Sequence, residues 1–206
     1  MKEFFTIVVN FIYRFFHLPW SNFYWKHIKH AKIEYPIADE DLRAGSETPK
    51  EYMCRIDKSV MKAFDYKHDG PEELGDSVPP PAEMYRQMKE EGHFADDCDG
   101  YHSCLYHLAD KNGIFCRLLS ILSMKNKWGH AVLLYLNNDG TWHIHDYRAD
   151  YSTPANGDRD DLILEKYADV CGDTMLVFES EYDYKTGSWR ESQRSKHILR
   201  KNNDKQ

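Results

Sequence analysis

From residue 3 to residue 18 the chain is almost continuously apolar: Phe4, Phe5, Ile7, Val8, Val9, Phe11, Ile12, Phe15, Phe16 and Leu18. The interruptions, Glu3, Thr6, Asn10, Arg14 and His17, recur every three or four residues. At about 100° per residue they share one narrow stripe, which predicts a helix with a wide apolar arc. Pro19 ends it. The run is too short and too interrupted for a bilayer span, and it lacks the small-residue cleavage site of a secretory signal. It predicts a helix docked on the domain or in a dimer contact, one lying in the plane of a membrane surface, or an uncleaved or atypical signal.

Residues 19–47 show no sustained period and read as a connecting arm on the core. Thr48-Pro49-Lys50-Glu51 then has the grammar of a helix start, with a threonine cap, an early proline and a glutamate three residues after the cap. Tyr52, Met53, Ile56, Val60 and Phe64 form the buried stripe of that helix. After a polar, acidic, turn-rich stretch and Pro79-Pro80-Pro81, a helix is predicted from Ala82 to Glu91, stopped by Gly92. Ser152 to Asp161 reads as a polar loop, and Thr174 to Tyr184 as a strand turned back at Lys185-Thr186-Gly187. From Arg190 onward six Lys or Arg stand against two acids, which reads as a solvated end or a short helix. The implied organisation is an N-terminal helix and arm over 1–47, a principal domain over 48–188 and a basic tail over 189–206.

The most informative pattern runs from Asp96 to Tyr147. Asp96 or Asp97 caps a helix whose apolar positions are Tyr101, Cys104, Leu105 and Leu108, and Asn112-Gly113 closes it. An apolar strand follows from Ile114 to Leu122. Gly129–Asn137 and Thr141–Arg148 form a hairpin whose turn decides which faces match. A two-residue Asp139-Gly140 loop would put His130 on the face of His143 and His145. A three-residue Asn138-Asp139-Gly140 loop, with glycine left-handed, sets Leu136 opposite Trp142, Leu134 opposite Ile144 and Val132 opposite Asp146. Only the second keeps one face uniformly apolar, and it places His130 diagonal to Asp146. His143 and His145 then point to the other face, where they are expected to meet solvent and not a metal.

Composition limits the function. A hydrophobic content of 41 % supports a substantial core, and a net charge of −7 argues against a general nucleic-acid binder. Five cysteines without a Cys-x-x-Cys pair read as free thiols in a reducing compartment, cytoplasmic sooner than secreted, and not as a zinc site. Cys104 and Cys116 fall on buried stripes and read as inert. Cys98 lies in the first turn of its helix, where unpaired N–H groups and the helix dipole favour a thiolate. Asp96, Asp97 and Asp99 work the other way by crowding it with negative charge. A thiol, an imidazole and a carboxylate in this order make a nucleophile, a base and an orienter.

The ordered set Asp97-Cys98-Asp99-Gly100-Tyr101, Gly113-Ile114, Gly129-His130-Ala131-Val132 and Trp142-x-x-x-Asp146 resembles the transglutaminase-like cysteine proteinase superfamily over roughly residues 50 to 150. The resemblance implies an α+β fold with a papain-like core, the cysteine helix packed on an antiparallel sheet. It makes Cys98 the nucleophile, His130 the base and then the acid, and Asp146 the orienter. The implied activity is hydrolysis of protein or peptide amide bonds through a thioester. The alternatives are acyl transfer to an amine, cross-linking or deamidating a protein glutamine, and a catalytically silent protein-binding module. The likeness is greatest to a bacterial branch, which implies a bacterial or phage source. In that branch acids beside the cysteine help to hold calcium, and Asp97 and Asp99 match them by position. No cofactor is required by the triad itself. The acidic stretch near residues 65–76 and Trp128 are candidates for shaping the groove.

Overall fold

The computed structural model describes residues 18–67, 78–123, 129–147, 149–171, 174–192 and 197–200. The apolar helix expected over residues 3–18, most of the acidic stretch near 65–76 and Trp128 lie outside the described residues.

Helix α1 (Leu18–Phe23) runs into a π-helical turn at Tyr24–Ile28. Helix α2 (Pro49–Ala63) begins as its sequence requires. The Thr48 hydroxyl accepts the Glu51 N–H, and the Glu51 carboxylate accepts the Thr48 N–H, so two otherwise orphaned donors are satisfied. Strand β1 (Phe64–Tyr66) leads toward α3 (Pro81–Glu90), and β2 (Phe94–Asp96) pairs with β1 in parallel. Helix α4 (Cys98–Lys111) follows directly and ends at Gly113, whose φ of +71° is the left-handed geometry that suits glycine.

Strands β3 (Cys116–Ser123), β4 (Gly129–Leu136), β5 (Trp142–Asp146) and β6 (Ala149–Ser152) precede helix α5 (Arg159–Cys171). The chain then adds β7 (Thr174–Asp183), β8 (Ser188–Glu191) and β9 (His197–Arg200). These strands form one antiparallel sheet in the order β6-β5-β4-β3-β7-β8, with β9 also paired to β7. The protein is therefore α+β. Residues 197–200, expected in a solvated end or short helix, are a sheet strand, because Leu176 and Val177 of β7 offer them a pairing edge. The buried Trp189 likewise ties β8 to the arm, its backbone exchanging hydrogen bonds with the Asn22 side chain.

Both faces of the sheet are covered. On one, Leu133, Tyr135 and Phe178 pack with α2, α3 and α4; on the other, Val132, Leu134 and Ile144 pack with Leu162, Ile163 and Tyr167 of α5. Each fully buried leucine or isoleucine contributes about 1.5–3 kcal/mol of transfer free energy. A one-residue slip of β4 or β5 would exchange the two sets, so burial fixes the register. That register is Leu136 with Trp142 and Leu134 with Ile144, and Gly140 is left-handed at φ +80°.

The same double coverage corrects the expectation for two histidines. His143 and His145 do lie on the face opposite Ile144, but they are buried and do not meet solvent. His143 bonds Asp150 at 2.8 Å and stacks on Tyr135, and His145 reaches Asp57 of α2 at 3.3 Å. Helix α2 covers the face that was expected to be open.

Candidate active site

The site forms where α4 begins, β4 begins and β5 ends. Asp97 is the N-cap of α4, its carboxylate accepting the Asp99 N–H at 3.1 Å, which sets Cys98 in the first helical position, partly exposed. On β4, the Ala131 N–H donates to Cys98 Sγ at 3.3 Å. His130 is the preceding residue. Its Nε2 lies 2.7 Å from Asp146 Oδ1, so the ring nitrogen that would serve a thiol is the other one, Nδ1. The structure thus brings Cys98, His130 and Asp146 to one corner.

Asp146 is bound at both oxygens. The Tyr167 hydroxyl of α5 donates to its Oδ2 at 2.9 Å. Burial pushes the Asp146 carboxyl up, but His130, with His102 and Tyr167, outweighs it and holds the group below its usual range. An ionised carboxylate on Nε2 fixes the orientation of the ring. The His130 ring lies 6.2 Å from that of His102 on α4 and 6.3 Å from that of Tyr167 on α5, so both helical layers reach it at the sheet's end.

Three residues that the motif reading did not assign complete the corner. His102 is fully buried, with Nδ1 at 2.6 Å from the Cys98 carbonyl and Nε2 accepting the Tyr147 N–H at 3.3 Å. Tyr147 has a left-handed backbone (φ +48°) and sets its ring 5.8 Å from that of His130. Burial, Cys98, Tyr66 and Asp97 all push its hydroxyl well up, so it stays protonated. Tyr167 is the third. His102 follows Cys98 by one helical turn on the same face, a spacing visible in the sequence. Helix α5, where a loop had been expected to reach Asp161, carries Ile163, Tyr167 and Cys171 at every fourth position.

Cys104 and Cys116 lie in the core as their apolar stripes predicted, and Cys54 is exposed. Cys104, Cys116 and Cys171 are buried, and burial pushes each thiol up, that of Cys171 to about 11.

Asp96 joins Asp97 and Asp99 in a cluster in which one carboxylate oxygen from each lies within 4.8 Å of the others. Asp96 folds over the first turn of α4 because residue 100 is glycine: a Cβ there would sit 2.3 Å from the Asp96 carboxyl carbon. These hard oxygen donors are of the type calcium takes. They are also the groups that oppose a thiolate, and the Ala131 N–H and His130 stand on the other side of that balance. A scan against protein-family models and a search of the curated proteins gave no match to this chain.

Proposed function

We propose that this chain is a cysteine-dependent amide hydrolase with a papain-like core, acting on protein or peptide substrates. One observation carries the reading: Asp146 holds His130 by Nε2 at 2.7 Å, while the very next residue hydrogen-bonds the Cys98 sulfur. Nucleophile, base and orienter then stand in the order their chemistry needs.

In this reading His130 takes the Cys98 proton, and the resulting imidazolium stabilises the thiolate against the neighbouring aspartates. Sulfur attacks the amide carbon, forming a C–S bond, and the oxyanion draws on the Cys98 backbone N–H. His130 returns the proton to the departing nitrogen as the C–N bond breaks, leaving a thioester. A water molecule, deprotonated by His130, attacks the thioester carbon; the C–S bond breaks and the thiol is regenerated. Asp146 does not exchange protons. It holds the ring and offsets its charge. Calcium, where bound, would be held by Asp96, Asp97 and Asp99 and would supply positive charge beside the thiol; the triad chemistry needs no ion.

The test is to profile the wild type and Cys98→Ala on mixed peptide and protein substrates, with and without a primary amine and with and without chelator. Cleavage by the wild type alone, insensitive to chelator, is expected. Incorporation of the amine in place of cleavage would assign acyl transfer, and no acyl chemistry from the wild type would contradict the proposal.

A further inference from the structure

Strand β5 stops abruptly at Asp146, and the way it stops governs the thiol. In the β4–β5 ladder, Leu136 directs its N–H to Phe115 on the β3 side. Main-chain groups alternate along an antiparallel strand, so Tyr135, Leu133 and Ala131 direct theirs toward β5. The partner register pairs Leu133 with His145, so a continued β5 would present residue 147 to Ala131. Tyr147 turns left-handed at that point, φ +48°, and the Ala131 N–H goes to Cys98 Sγ instead. A bulky residue in the left-handed region is unfavourable unless something holds it.

What holds it is a histidine from another element. The Tyr147 N–H donates to His102 Nε2 at 3.3 Å, and a backbone N–H can only donate, so Nε2 is the acceptor. The ring proton therefore sits on Nδ1, which donates to the Cys98 carbonyl at 2.6 Å. We infer that His102 is a positioning residue of the site: it clamps the nucleophile's turn of α4 to the left-handed corner that ends β5. The clamp does two things at once. It keeps Asp146 aimed at His130, and it reserves the Ala131 N–H for the sulfur.

The surroundings fit that role. His102 is fully enclosed, with the rings of His130 on β4, His145 and Tyr147 at the end of β5, and Tyr101 on its own helix around it. Burial and the two neighbouring histidines keep it neutral, lowered to about 3. A protonated ring would have no acceptor left for Tyr147.

The inference rests on Cys98 being the activated nucleophile, and the test separates the two. Iodoacetamide labelling of Cys98 is followed by mass spectrometry in the full chain, with the exposed Cys54 as internal reference, alongside hydrogen exchange at the Tyr147 amide. Gln at position 102 can keep the acceptor for Tyr147, Asn can keep only the donor to the Cys98 carbonyl, and Leu keeps neither. His102→Leu is expected to slow Cys98 labelling about ten- to a hundredfold and to speed Tyr147 exchange. His102→Gln is expected to restore most of both, and His102→Asn neither. Labelling in His102→Leu as fast as in the wild type would overturn the inference alone. Where the leucine variant does not fold, the Gln and Asn variants decide, and equal behaviour of those two overturns it. A wild-type Cys98 no faster than Cys54 would sink the underlying reading and the positioning role with it.

Discussion

Asp146 spends each of its oxygens on a different partner, Oδ1 on His130 and Oδ2 on the Tyr167 hydroxyl. Removing one hydroxyl leaves the carboxylate in place but frees it to rotate away from the ring. A hydrogen bond to a charged group contributes about 1.5–3 kcal/mol, of which re-solvation at a partly exposed site recovers a share. Tyr167→Phe is therefore expected to lower turnover by roughly threefold to thirtyfold with little change in substrate affinity, measured as kcat and KM on whichever peptide the wild type cleaves. An unchanged kcat would place Tyr167 in packing only. The three principal residues were legible because each sits in a short local pattern: Cys98 behind an aspartate cap, His130 behind Gly129, Asp146 four after Trp142. Tyr167 was not, because nothing local in the sequence says that α5 reaches back across the sheet.

At the scale of elements, the hairpin shows what a turn can encode. Gly140 at φ +80° makes the three-residue loop, the loop sets the pairing of Leu134 with Ile144, and that pairing carries Asp146 to the His130 side. Every link was readable from Asn138-Asp139-Gly140 and the apolar alternation. The helices α2 and α4 were readable for the same reason, since caps and periodicity are local. What failed was tertiary. His143 and His145 were placed on the correct face but in the wrong medium, because a strand's pattern does not say whether a helix covers its polar side. Asp57 of α2 and Asp150 of β6 make those histidines affordable inside, each supplying a carboxylate for the buried imidazole. Short strands such as β1, β2 and β9 have too few residues for any period to show.

At the scale of the whole molecule, the site is held between two cores, and no helix among the described residues is long and apolar enough to cross a membrane. The same burial that builds the cores sets a pH limit. His102 and His107 are enclosed and kept neutral, with burial lowering them to about 3 and about 4 from an ordinary value of 6.5. Below that ordinary value the unfolded chain binds the protons and the folded chain resists them. The stability they contribute is thus full above about pH 6.5 and is lost as pH falls toward 3 to 4. Urea unfolding is expected to show a loss on the order of a few kcal/mol between neutral pH and about pH 4, shallower in His107→Gln. An equal slope in that variant would show that His107 is not responsible.

The central claim is that Cys98 is the activated thiol of this fold, and competitive alkylation tests it most directly. Cys54 is the internal standard, an exposed thiol whose partial burial and nearby Asp150 push it up. Iodoacetamide at near-neutral pH should label Cys98 well ahead of Cys54 and far ahead of the buried Cys104, Cys116 and Cys171, and the advantage should vanish in His130→Ala. Labelling of Cys98 at or below the rate of Cys54, or an advantage that survives the loss of His130, would contradict the account.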